Sequence, residues 1–203
     1  MAYTDLTGLA GSTLALIALV LLFPGVARLQ PKYRIWLVIL VAAASLIPCA
    51  GLPIAAYLRA VIGDLSITTL TLLILAIRQE MAYGRPADDR HGQALYALIA
   101  LLALGLYPLA LGVGYFDPYR LGYGNPWLIG VLLAVALAAC WLRWTLVALC
   151  PALAVLAWAV GWYESTNVWD YLLDPLLAIY AIGAVIRLGL RMRKPRGWLS
   201  PRR

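Results

Sequence analysis

Apolar residues run along this chain in long blocks, without the three-and-four spacing of a surface helix or the alternation of a half-buried strand. Blocks cover residues 6–27, 35–50, 93–116, 127–142 and 145–162, and another ends near residue 190. A further one lies between residues 52 and 77. A spanning helix needs about 20 predominantly apolar residues, fewer where its ends are anchored. The pattern therefore predicts an all-α fold, a polytopic transmembrane helical bundle of about seven spans over residues 1–190, followed by a basic tail over residues 191–203.

Helix breakers place the ends of the blocks. Pro24-Gly25 closes the first, and Pro48, Gly51 and Pro53 interrupt the chain after the second. Two readings of the next stretch follow. Residues 52–63 form a re-entrant or interfacial segment, with Asp64 capping a shorter helix. Alternatively, Pro53 opens one long helix that ends near residue 77, since proline suits a first helical position. Pro108 is expected to kink the fourth span. Asn125-Pro126 caps and starts the fifth, and Arg143-Trp144 leaves room only for a tight turn before the sixth.

Charge orients the spans. Threaded this way, fourteen of the 16 lysines and arginines fall on one side, and only Arg59 and Arg120 fall on the other. Basic residues resist translocation, so the N-terminus lies outside and the C-terminus in the cytoplasm. The acids lean the opposite way: Asp5, Asp64, Asp117, Glu164, Asp170 and Asp174 lie across from the basic loops. The loop over residues 78–92, with Gly84-Arg85-Pro86, reads as a solvated connector.

Composition agrees with a lipid solvent. The chain has 203 residues, is 64% hydrophobic and 12% charged, and has a mean hydropathy of +0.87. Soluble domains carry about twice that share of charge. The net charge of +7 does not point to nucleic acid, because seven basic residues lie in the last seventeen positions beside an apolar block. Such a cluster is drawn to anionic headgroups. Membrane lipids are the expected partners, and the Ala/Leu/Trp-rich composition fits an integral protein of a bacterial cytoplasmic (inner) membrane. Asp5 stands where a cleaved signal peptide would have basic residues, so the first block reads as a retained helix. Cys49, Cys140 and Cys150 lack metal spacing and read as small buried hydrophobes, and His91 is the only histidine. No metal site and no cofactor are expected.

Candidate chemistry gathers on the outer side. Arg59, Asp64, Thr68, Asp117, Arg120, Glu164, Asn167, Asp170 and Asp174 are the candidate ligand-binding residues. An ionisable group near hydrocarbon faces the bundle interior and has a partner, so Arg59 is expected to pair with an acid, as a structural tie or as part of a binding site. If Asp64 is helical, Thr68 and Thr71 continue a polar stripe from it at offsets of four and seven. Asp170 and Asp174 are one helical turn apart, a spacing at which two carboxylates repel. Both also suit caps, Asn167 with Asp170 at the third position and Asp174 before Pro175. Asp117-Pro-Tyr-Arg120 reads as a turn with a local ion pair.

Aromatic residues crowd the same boundary, including Tyr115, Phe116, Tyr119, Tyr123, Trp127, Trp158, Trp162, Tyr163, Trp169 and Tyr171, as anchors at headgroup level do. Val61-Ile62-Gly63-Asp64 resembles the Gly-x-Gly-Asp signature of intramembrane aspartyl proteases, but valine replaces the first glycine. Serine-hydrolase and P-loop signatures are absent. The expectation is a non-catalytic accessory or binding protein for a lipid-linked envelope component, such as a lipid-linked glycan, or for another inner-membrane protein. The alternatives are a small integral-membrane enzyme that uses outer carboxylates on a lipid and a proton-coupled transporter.

Overall fold

The structure is a computed structural model that describes residues 2–82 and 90–193. These residues form an all-helical fold, as the apolar blocks predict. The helices are α1 (Ala2–Leu21), α2 (Pro31–Ser45), α3 (Ile54–Ile62), α4 (Ile67–Met81), α5 (Arg90–Ala110), α6 (Pro126–Trp141), α7 (Thr145–Ala159), α8 (Val168–Leu172) and α9 (Pro175–Arg193). A tiny antiparallel hairpin, β1 (Pro48–Cys49) and β2 (Leu52–Pro53), precedes α3. The basic tail beyond Arg193 and the Gly84-Arg85-Pro86 connector lie outside the described residues.

Seven full spans are more than the helix lengths show. Among the described residues, two helices are long and apolar enough to cross a membrane, Gly92–Ala110 and Pro175–Met192. Asp5–Leu21, Pro126–Trp141 and Thr145–Ala159 are apolar but shorter. At 1.5 Å per residue, the 15 residues of α7 reach only about 22 Å, short of a hydrocarbon core of about 30 Å.

The stretch between residues 52 and 77 follows neither expected version completely. A long single helix is broken where Gly63 takes φ +75°, a left-handed conformation that favours glycine. Ser66, not Asp64, then caps α4 by accepting a bond from the Thr69 amide at 3.2 Å. Asp64 therefore lies ahead of the helix, and no continuous Asp64–Thr68–Thr71 stripe forms. The Arg143-Trp144 turn is as tight as expected. Arg143 adopts φ +60°, and the Trp144 amide reaches back to the Ala139 carbonyl at 2.8 Å. The fourth span ends at Ala110, before the expected residue 116.

Packing divides the molecule into two halves. In the first, α1 lies against α2, α3 and α4. In the second, α5 runs along α9 and α6 along α7, while α4 touches α7 and α8 across the divide. The main buried cluster belongs to the second half and includes Leu95, Ala103, Ala154, Val168, Tyr171 and Ala181. Apolar side chains also cover the outside. On α6, Leu137 is 62% exposed and Trp141 89% exposed.

Candidate functional site

Contacts between distant residues collect the acids at one end of the bundle. Arg59, in the last turn of α3, holds Asp64 side-on: its Nε donates to Oδ1 at 2.6 Å and its Nη2 to Oδ2 at 3.0 Å. Its Nη1 donates to Asp5 Oδ1 on α1 at 3.0 Å. The expected pair is present, and its guanidinium is already occupied by two acids. Gly8 makes this possible, because a Cβ there would stand 2.2 Å from Arg59 Nε. At the opposite end, Arg34 joins the start of α2 to the end of α4 by donating to the Glu80 carbonyl.

Asp174 is held differently. It is buried, and its Oδ1 accepts from the Leu177 amide at 2.9 Å, capping α9. Its Oδ2 accepts from the Ser66 amide at 3.0 Å and from the Thr69 hydroxyl. One carboxylate therefore ties the start of α9 to the start of α4. Asn167 caps α8 by accepting from the Trp169 amide at 2.9 Å, and its Nδ2 donates to the Tyr119 carbonyl at 3.0 Å. Asp170 sits at the third position of α8, as expected. It accepts from Tyr119 Oη at 2.7 Å and from the Ser165 hydroxyl. Asp170 and Asp174 do not share a helix face, because Leu173 between them is extended.

These walls line a half-open cavity of about 420 Å³. Asp64, Asp170 and Asp174 line it together with Tyr107, Tyr119 and Tyr163. Ser165 and Trp169 complete its polar side. Of the nine candidates, three carboxylates thus meet at one site, with Arg59 behind Asp64. Asn167 supports the wall from within. Asp117 caps the turn Pro118–Gly122, and the 85%-exposed Arg120 stands 4.0 Å from it, so neither reaches the cavity. Glu164 is exposed and also lies off the lining, and Thr68 faces a separate apolar slot.

The tyrosines escaped the sequence reading as site residues. Tyr163, Trp169 and Tyr171 are buried and not members of a headgroup belt. Burial raises the Tyr119 pKa, and the bond to Asp170 adds to the shift. Burial likewise raises Tyr163, followed by the charge of Asp64. These phenols remain protonated donors at neutral pH. Tyr163 Oη donates to the Leu65 carbonyl at 2.8 Å, and Tyr171 Oη to the Ser165 carbonyl at 2.9 Å, which fixes the loop ahead of α8. The sequence signal was the run Trp169-Asp-Tyr-Leu-Leu, apolar on both sides of an acid that its neighbours satisfy.

The site is an acidic, aromatic-walled cleft with carboxylate acceptors and few free positive donors. It suits a ligand rich in hydroxyl or ammonium hydrogens better than a bare phosphate. Among the described residues, no group of three or more His, Cys, Asp or Glu side chains is placed to hold a metal ion. No protein-family model, curated protein or solved structure matches the chain.

Proposed function

We propose that this is a non-catalytic binding protein of the bacterial inner membrane, and that its acidic cavity receives the head of a lipid-linked envelope component. The single observation behind this reading is the cavity of about 420 Å³ in which Asp64, Asp170 and Asp174 meet three tyrosines. Sugar hydroxyls donate to carboxylates, and aromatic rings cover the apolar faces of a sugar or flank an ammonium group. The charge of Arg59 is already matched by Asp64 and Asp5, so a head group recognised chiefly through phosphate is the weaker candidate.

A membrane setting is part of the proposal. The two long apolar helices have only 28% and 17% of their windows buried inside the protein, whereas the core helix of a soluble protein is mostly buried. Lipid is the solvent that tolerates such faces. The seven longer helical segments, with α3 and α4 counted as one, then cross in alternation with the N-terminus outside. The shorter helices need a thinned bilayer or partner subunits around them. The contacts that put Asp5, Arg59, Asp64, Asp170 and Asp174 at one end and Arg34 at the other support that orientation.

Native mass spectrometry of protein extracted in mild detergent tests this reading. The expected result is a discrete bound mass carrying a sugar or amine head, whose occupancy falls at least about tenfold in Asp170→Asn while circular dichroism is unchanged. Wild-type protein that never retains such a mass overturns it. A second reading, a small lipid-modifying enzyme, rests on Asp170 standing between the Tyr119 and Ser165 hydroxyls as an acid–base group would. Conversion of the bound mass to a product during incubation, abolished by Asp170→Asn, would favour it.

A further inference from the structure

Charge at the cavity end of the bundle is out of balance. Among the described residues, Arg59 and Arg120 are its only basic side chains, against Asp5, Asp64, Asp117, Glu164, Asp170 and Asp174. Arg59 is matched by Asp64 and Asp5, and the exposed Arg120 stands beside Asp117, off the cavity. Asp170 and Asp174 line the cavity with neutral partners. Tyr119 and Ser165 donate to the first, and Ser66, Thr69 and Leu177 to the second.

Asp170 has acceptor capacity to spare. A carboxylate accepts about four hydrogen bonds, and Asp170 uses one on each oxygen. It is half-buried, and solvent reaches the remaining sites through the open side of the cavity. An occupant displaces that solvent. A neutral head, sugar hydroxyls included, then leaves a desolvated carboxylate with no counter-charge, which is costly. A primary ammonium supplies the counter-charge and three N–H donors at once. Tyr107, Tyr119 and Trp169 border the same space, and aromatic faces attract an ammonium lying within about 6 Å. A divalent metal ion does not suit the site, because no three ligating side chains among the described residues are placed to hold one.

The room is sufficient. About 420 Å³ is nearly three times the roughly 150 Å³ in which an apolar cavity holds benzene, so a six-membered ring bearing an amino group fits. We infer that the head of the ligand carries a primary ammonium group that seats against Asp170, with the charge of Asp174 adding to its hold. This rests on the head-group reading above and narrows it from a sugar or an amine to a cationic amine, such as an amino sugar.

Two lipids of equal size test the inference, glucosaminyl diacylglycerol and glucosyl diacylglycerol, which differ only by an ammonium in place of a hydroxyl. Their tritiated forms are compared by scintillation proximity on the whole protein in octaethylene glycol monododecyl ether, a detergent with neither charge nor sugar. The amine lipid is expected to bind at least about tenfold tighter. Raising NaCl from about 0.05 to about 0.5 M should weaken the amine lipid severalfold and leave the glucosyl lipid unchanged. Asp170→Asn should bring the two affinities within about twofold, with circular dichroism unchanged.

A second variant covers the case in which Asp170→Asn fails to fold. Tyr107→Lys tethers an ammonium at the cavity wall, so it should melt higher than Tyr107→Gln and lose the amine lipid. A lysine variant that melts lower than the glutamine variant overturns the ammonium site. Equal binding of the two lipids by wild type also overturns it and leaves the head-group reading standing. Free glucosamine that displaces the amine lipid at equal concentration supports the ammonium site and overturns the lipid-linked reading. Binding of neither lipid nor free glucosamine overturns both.

Discussion

Asp64 and Asp174 line one cavity from the two halves of the molecule, and they are held by opposite means. Asp64 lies between α3 and α4, and a guanidinium holds it while its side chain remains 30% exposed. Asp5, the third member of that cluster, is 66% exposed. Asp174 is 5% exposed, and its bonds come from neutral donors: two backbone amides and a threonine hydroxyl. Exposed ion pairs stabilise by about 0–1 kcal/mol because water and salt screen them. A buried carboxylate that satisfies several donors leaves all of them orphaned when it is removed. The strong tie between the halves is therefore the cap at Asp174, and the conspicuous Arg59 pair contributes less.

The sharpest way to break that comparison is Asp174→Ala. It strands the Ser66 and Leu177 amides and leaves the Thr69 hydroxyl only Ser66 Oγ at 3.0 Å, and should destabilise the protein by about 3–4 kcal/mol. Thermal unfolding in detergent reads this directly. A loss no larger than that of Arg59→Gln would sink the ranking. Gly122→Ala comes next. Its Cβ would stand 1.7 Å from Asn167 Oδ1 and 2.7 Å from Trp169 Cδ1. Asn167 is 1% exposed and caps α8, so it has nowhere to go, and a loss of about 2–3 kcal/mol is expected.

An alkaline titration sharpens the contrast further. Tyr119, Tyr163 and Tyr171 all have pKa values raised first by burial. The folded state holds their protons more tightly than the unfolded chain, whose tyrosines titrate near about 10. This stabilisation is complete below about pH 10 and is lost as pH rises through the higher folded values. The melting temperature should therefore be flat on approach to that value and fall above it, and the fall should be shallower in Tyr119→Phe. A variant that declines as steeply as wild type would remove Tyr119 from the account.

Much of this was legible in the sequence, and for identifiable reasons. Apolar blocks specify helices because only they bury their own backbone polar groups. Asn125, Asn167 and Asp174 announced helix starts, because a short acceptor ahead of a helix satisfies a free amide wherever it occurs. The break at Gly63 was half visible, but the choice between Asp64 and Ser66 as cap depended on a contact with Asp174, 108 residues away from Ser66. The cavity itself was not visible. Tyrosines that anchor a helix at the headgroups and tyrosines that wall a site have the same local sequence, and only tertiary packing turned Tyr163 and Tyr171 inward.

The smallest expected effect is the most informative about Arg59. In Gly8→Ala a new Cβ would lie 2.2 Å from Arg59 Nε and 2.5 Å from Asp64 Oδ1, an overlap that looks as severe as the one at Gly122. The atoms that must move are different in kind. They are the far ends of two partly exposed side chains, and a shift of the guanidinium toward water relieves the clash. Displacing the pair removes about 0–1 kcal/mol. Replacing glycine inside α1 by alanine returns up to about 1 kcal/mol of helix propensity. The two changes nearly cancel, so Gly8→Ala should melt within about 0.5 kcal/mol of wild type. High salt, which already screens the pair, should shift any difference toward stabilisation. If Gly8→Ala instead unfolds the protein as Gly122→Ala does, the Arg59 cluster holds the bundle together, and the cap at Asp174 loses its primacy.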